Sequence, residues 1–433
     1  MANLTPFPEL SYRHNELFLE EVSLSQLAKL YGTPLYVYSY SALVKAFSEF
    51  QNAFKERDTL ICYAVKANGN LSLLRELAAL GAGFDIVSAG ELRRVIEAGG
   101  DAKKVVFSGV GKSQEEIKYA LEVGIFCFNI ESEEELFRIN QCAQDLNKKA
   151  PISFRVNPDV DPKTHPYIST GLKNSKFGVP FSTAIDLYRK ANKLSHVLIQ
   201  GIDCHIGSQI TELSPFIEAL ERILGLIAQL KELGISISHL DLGGGIGITY
   251  KDESTIALND YANELLKRLH HFPGKLIFEP GRRIVGNSGL LLTKVEYLKE
   301  SPDHRFAIVD AAMNDLVRPS LYDAWHEVVE VTQPSSIPSR PLDIVGPVCE
   351  TGDILATNRY LMAQSNDLLA ILSTGAYGSS MSSNYNARPK AAEVLVYNKD
   401  HYLIGRRESF TELTQRELTD FFSQTSLAKN KLI

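Results

Sequence analysis

The chain is 433 residues long, 44% hydrophobic and 22% charged, with 45 basic against 52 acidic side chains and a formal charge of −7. That is ample apolar material for a large core and argues against disorder; the acidic balance, with no Lys/Arg run, argues against nucleic acid or an anionic membrane surface as a partner. No apolar run approaches a membrane span, the start MANLTPFPELSYRHNEL lacks a basic-then-apolar leader, and the five cysteines (Cys62, Cys127, Cys142, Cys204, Cys349) form no C-x-x-C pair, so a cytoplasmic protein without a disulfide framework or zinc is expected.

From Leu60 to Pro280 short β-branched or aromatic runs alternate with longer amphipathic stretches. The predicted strands end in YAV before Lys66, FDIV before Ser88, VVF before Ser108, FCFNI before Glu131, SFRV before Asn157, GIDCHI before Gly207, HLDL before Gly243 and LIF before Glu279. Between them lie helical patterns such as LSLLRELAALG, SQEEIKYALEVG, SEEELFRINQCAQDLNKK and PFIEALERILGLIAQLKELG, several opening at Ser or Asn and closing at Gly. Eight strands with helices between them predict a closed (β/α)8 TIM-like barrel over residues 36–286. After Gly286 the runs LLLTKVEYL, RFAIVDA, PLDIVG, DLLAILS and AEVLVY, broken by Pro, Gly, Ser and Asn, predict a mainly antiparallel β domain built from 287–433 with residues 1–35.

Active sites of such barrels form at the C-terminal ends of the strands. Lys66 in YAVKAN stands at one of them, and a lysine in an apolar setting can bond an aldehyde cofactor. His205 in HIGSQ supplies an aromatic plate, and DLGGGIG from Asp241 offers backbone N–H groups suited to phosphate without Rossmann or Walker spacing. Glu279-Pro280-Gly281-Arg282 adds a carboxylate and a further glycine. Each is weak evidence alone; together they are the parts a pyridoxal phosphate site requires.

With YAVKAN, HIGSQ, DLGGGIG, EPGR, CETGD and TGAYGSS in this order, the chain resembles the alanine-racemase-like, fold-type III pyridoxal phosphate decarboxylases, from TPLYVY near Thr33 to TGAYGSSMSSNYNARP near Thr374. The resemblance implies that Lys66 holds the cofactor, His205 stacks on its ring and Glu279 faces the pyridine nitrogen. Ser208, Gly244, Gly245, Gly281 and Arg282 would surround the phosphate or the adjoining substrate edge, with Tyr377 at the cofactor and Asp85 and Arg155 at strand ends lining the same pocket. It places Arg318, Tyr322 and Glu350 around the far end of the substrate and Cys349 near its α-carbon, as the favoured proton donor. In relatives the loop carrying Cys349 and Glu350 reaches into a partner's pocket, which implies a homodimer with shared sites.

The planar fork of Arg318 suits a substrate with a distal carboxylate, and Glu350 suits a distal ammonium. The segment HPYISTGLKNSKFGVP from His165 resembles members of the family acting on diaminopimelate more closely than those acting on ornithine, so the resemblance implies decarboxylation of meso-2,6-diaminopimelate to L-lysine, the last step of lysine biosynthesis. The alternatives are decarboxylation of ornithine, arginine or a carboxylated polyamine, and a catalytically silent cofactor-binding homologue. No metal is expected.

Overall fold

The computed structural model describes residue 4 and residues 6–161, 176–302, 304–333 and 337–418. The segment from His165, read above as a substrate-class motif, lies outside the described residues as far as residue 175.

All eight predicted barrel strands form: Thr59–Ala64, Gly83–Ile86, Val105–Phe107, Cys127–Ile130, Ala150–Asn157, Val197–Asp203, His239–Asp241 and Lys275–Phe278. Each pairs in parallel with the next, and Lys275–Phe278 pairs back onto Thr59–Ala64, which closes the barrel. The helices between them start and stop where local chemistry dictates. Gln114–Val123 opens on a reciprocal Ser113/Glu116 capping box and ends at Gly124 in the left-handed region. Ser214–Glu232 buries Leu220, Ile223, Leu226 and Leu230, a three-to-four-residue spacing that turns one apolar stripe onto the barrel.

The second body is a mainly antiparallel sheet whose long strand, Gly289–Glu300, pairs with Arg305–Val309, Leu368–Ile371 and Leu35–Ser39. Two pairings are parallel: Arg305–Val309 with Arg340–Val345, and Leu35–Ser39 with Ala392–Tyr397. A three-stranded antiparallel meander, Leu10–Arg13, Glu16–Leu19 and Val22–Ser23, packs apolar residues including Leu17 and Leu19 against this sheet.

The expected boundary at residue 36 falls inside Leu35–Ser39, which lies between Gly289–Glu300 and Ala392–Tyr397 and not in the barrel. All five of its residues are buried, so it lacks the alternation that marks a half-exposed strand, and its partners are hundreds of residues away in sequence. The two bodies meet over the barrel mouth: Gly375 N–H donates to the Gly286 carbonyl (3.1 Å) and Tyr377 N–H to the Ala67 carbonyl (2.8 Å), fixing the TGAYGSS loop beside Lys66.

Candidate active site

A cavity of about 340 Å³ opens at the C-terminal end of the barrel, where the second sheet overhangs it. Lys66, His205, Ser208, Gly244, Gly245, Glu279, Gly281, Arg282, Arg318, Tyr322 and Tyr377, all singled out from sequence, line it together.

Lys66 sits in the 3-10 turn that follows the first barrel strand, and Asp85 lies on the neighbouring strand in register with Ala64. Lys66 Nζ approaches Asp85 Oδ2 at 2.7 Å. Burial works against the ammonium, but the Asp85 carboxylate, helped by Tyr377 and Glu279, outweighs it, so the lysine holds its proton more tightly than usual. The turn is tied down from above, since the Ala67 carbonyl also accepts from Ser380 Oγ at 3.1 Å.

His205 follows the sixth strand. Gly244 N–H donates to its Nδ1 at 3.1 Å, which puts the proton of the neutral ring on Nε2. Burial, then Arg155 and Lys66, push its pKa well down, so the ring is neutral at physiological pH.

The glycines beside it are required by space. A Cβ on Gly244 would overlap the Glu279 carbonyl, and one on Gly245 (φ +106°) would stand 2.5 Å from the Gly207 carbonyl. On Gly281 it would lie 2.9 Å from Ala67 Cβ. Backbone N–H groups can therefore approach a bound anion without side chains intervening.

Glu279 is buried at the cavity floor, with Oε1 near Ser108 Oγ (3.4 Å) and Asn129 Nδ2 (3.3 Å). Behind it stand two acids that the sequence reading quoted within motifs but gave no role, Asp203 and Asp241, the last residues of their strands. One carboxylate oxygen from each of Asp203, Asp241 and Glu279 falls within 4.8 Å of the others. Neither oxygen of Asp203, nor Asp241 Oδ2, accepts a hydrogen bond from a described residue. Burial first, then mutual repulsion, drives the Asp203 and Glu279 pKa values well up; burial pushes Asp241 to about 6. The floor is short of positive charge, and a cationic ring nitrogen against Glu279 would meet that deficit. With the glycine cradle and Lys66, this donor set fits pyridoxal phosphate.

On the opposite side the excess is positive. Arg282, in the short helix Arg282–Val285, donates to Ser208 Oγ (3.1 Å) and to Tyr250 Oη (2.5 Å) and lies 4.8 Å from the Tyr377 ring centre. Arg318, in Arg318–Tyr322, lies 4.6 Å from the ring centre of Tyr250. Both are buried, and among the described residues their polar surroundings are tyrosines, Ser208, His326 and each other, with no carboxylate paired to either.

Four singled-out residues, Asp85 paired to Lys66 among them, lie away from the cavity wall. Arg155 sits behind it, 3.3 Å from Glu131 Oε1 and 4.0 Å from Asp203 Oδ2. Cys349 and Glu350 occupy the turn between Arg340–Val345 and Ile354–Leu361, where Cys349 is exposed and Tyr385 Oη donates to Glu350 Oε2 at 3.1 Å. Tyr250, Trp325 and His326 were missed. Tyr250 carried the signal of closely following the glycine-rich loop, and Trp325 and His326 that of ending RPSLYDAWH.

The sequence pattern described as pyridoxal-dependent decarboxylase, pyridoxal binding domain, matches residues 40–286. The chain belongs to the pyridoxal-dependent decarboxylases. Its curated relatives in this family include the diaminopimelate decarboxylase of Neisseria meningitidis, 55% identical over 93% of this chain and 99% of that protein. That of Pseudomonas aeruginosa is 55% identical over 93% and 97%. Among solved structures, diaminopimelate decarboxylase from Helicobacter pylori complexed with L-lysine superposes with a TM-score of 0.88 at 45% identity, covering 91% of this chain and 98% of that one. Within this family the chain is a carboxy-lyase. Among the described residues no helix is long and apolar enough to cross a membrane.

Proposed function

We propose that this chain decarboxylates meso-2,6-diaminopimelate at its D centre, releasing CO2 and L-lysine, with pyridoxal phosphate held at Lys66. The observation that carries the reading is the pair of buried guanidinium groups, Arg282 and Arg318, without a carboxylate counter-ion among the described residues, facing the same cavity as Lys66 and Glu279. Two cations left unneutralised in a low-dielectric wall call for two anionic groups. A cofactor phosphate beside the glycine turn satisfies one, and a second substrate carboxylate, absent from ornithine and arginine, satisfies the other.

Bound at Lys66, the cofactor supplies an electron-accepting ring for the pair left on the α-carbon when CO2 departs. The chain's own residues do the rest. Glu279, ionised once a cation stands against it, holds that positive charge in place, while Asp241, whose pKa of about 6 leaves it ionised at neutral pH, deepens the negative potential beneath it. His205, neutral and fixed through Nδ1, covers the ring face. Gly244, Gly245, Gly281, Ser208 and Arg282 surround the phosphate. Asp85 holds the Lys66 amine, and Arg155 braces the floor through Asp203. Phe177, Tyr261 and Trp325 wall the cavity with apolar surface and limit water at the reacting carbon.

Arg318 and Tyr322 receive the far carboxylate of the substrate, and Tyr377 the region where cofactor and substrate meet. Cys349 and Glu350 are exposed and lie off their own cavity, which supports a homodimer in which each subunit lends them to its partner. There Cys349 Sγ would carry the proton that replaces CO2, and Glu350 would pair with the distal ammonium. We further propose a cytoplasmic protein in two parts, the barrel to residue 286 beginning after Ser39 instead of at residue 36, and the β domain from the remainder.

The test is incubation of the cofactor-loaded protein with meso-diaminopimelate, L-ornithine and L-arginine in separate reactions, following CO2 and the amine formed. Lysine from diaminopimelate alone is expected. Turnover of only another substrate would overturn the role given to Arg318, and no CO2 from any would overturn the enzyme reading.

A further inference from the structure

His326 is fully buried, does not itself line the cavity, and lies between two polar groups of fixed character. Its Nδ1 is 2.7 Å from the Leu372 carbonyl, which can only accept, and its Nε2 is 2.8 Å from Arg318 Nη1, which can only donate. Both contacts are satisfied by one state alone: a neutral ring with its proton on Nδ1 and its lone pair on Nε2. A second proton would set N–H against N–H.

The imidazole is itself clamped. Its ring packs edge-on against Tyr250 with centroids 5.3 Å apart, and Arg359 Nη2 donates to the His326 carbonyl at 3.0 Å. The Leu372 end of the clamp is anchored by Leu372 N–H donating to the Glu327 carbonyl at 2.8 Å. Arg318 Nη1 is thereby tied to the β domain, and the guanidinium is stacked on Tyr250, leaving its remaining N–H groups for the cavity.

We infer that His326 is a positioning residue for substrate specificity: it accepts one N–H of Arg318, orients the guanidinium fork, and so favours substrates with a carboxylate at the end remote from Lys66. This rests on the reading of Arg318 given above. A guanidinium free to rotate would lose the fixed geometry that bidentate carboxylate binding needs, while everything that happens at Lys66 would be unaffected.

The chemistry of the reaction supplies a matched pair of probes. L-lysine retains the distal carboxylate after decarboxylation at the other centre, whereas 1,5-diaminopentane has the same chain and amines without it. The chain's single tryptophan, Trp325, adjoins His326 and lines the cavity, so binding of either ligand to the holoenzyme can be followed by its fluorescence.

In His326→Phe the affinity for L-lysine should fall by about tenfold or more, the loss of one preorganised charge-assisted contact, with diaminopentane unchanged. His326→Gln, whose amide also offers a donor and an acceptor, should restore most of the preference. If the Phe variant does not fold, His326→Asn, too short to span both partners, carries the same expectation. In kinetics, KM for diaminopimelate should rise with kcat nearly constant.

Equal weakening of both ligands, or no change in either, overturns the inference and leaves His326 a packing residue. Arg318→Ala separates that failure from failure of the underlying reading. If it abolishes the preference for L-lysine while His326→Phe does not, only the role of His326 is wrong; if it leaves the preference intact, the assignment of Arg318 falls and the inference with it.

Discussion

Replacing Asp85 by Asn should make the protein take up pyridoxal phosphate faster at neutral pH. In the native chain the Asp85 carboxylate lies 2.7 Å from Lys66 Nζ and is the foremost group opposing the effect of burial on that ammonium. An amine must lose its proton before it can attack an aldehyde, so the same ion pair that positions Lys66 also keeps it unreactive. An opposite charge at this range commonly alters proton affinity by a factor of about 10 to 1000, and Lys66 then has only desolvation and weaker neighbours acting on it. At fixed neutral pH the neutral fraction, and with it the rate of uptake, should rise by at least about tenfold.

The sign also fixes the pH profile. A lysine whose folded pKa is raised contributes stability that is fully present below its ordinary value near 10.4 and is lost as pH climbs through the folded value. Native uptake should therefore keep accelerating with pH across the range from about 6 to 10, whereas Asp85→Asn should level off earlier. The assay is the growth of visible absorbance after adding cofactor to stripped protein. Profiles of identical shape, or uptake slowed by one factor at every pH, would refute the argument.

Three further outcomes follow from the same geometry. Gly244→Ala places a methyl group on the Glu279 carbonyl, so the turn must shift, and the cofactor dissociation constant should rise by about tenfold or more in a fluorescence titration, with a fall in the thermal midpoint beside it. Arg318→Ala should raise KM for diaminopimelate by about 10- to 100-fold with kcat nearly retained, the size expected for one charge-assisted contact. His239, buried against Phe126 with its pKa pushed down to about 4 chiefly by burial, binds its proton more readily unfolded than folded. Stability from its neutral form is thus present above about pH 6.5 and lost as pH falls toward 4, so His239→Gln should flatten urea-unfolding stability between pH 7 and 5 relative to the native chain, by about 2 kcal/mol.

The barrel was legible because each of its strands pairs with a near neighbour in sequence and ends at a polar residue that announces the mouth. Lys66, His205 and Glu279 could be picked out for that reason, as could the glycine turn between them. Leu35–Ser39 was not, since nothing local tells a fully buried strand that it belongs to a sheet completed by Gly289–Glu300 and Ala392–Tyr397. Asp203 and Asp241 escaped notice because an acid at the end of an apolar strand is indistinguishable in sequence from a solvated one; only closure of the barrel brings both beneath Glu279. His326 was hidden by a different cause. Its role depends on the Leu372 carbonyl, a backbone group 46 residues away with no signature in sequence.

The most direct test of the account is the paired yield of CO2 and L-lysine from meso-diaminopimelate in the native protein and in Lys66→Ala, each supplied with pyridoxal phosphate. Equal amounts of both products from the native chain, and a rate lower by about a thousandfold or more in the variant, are predicted. Lysine formation that survives loss of Lys66, or CO2 released without matching lysine, would contradict it.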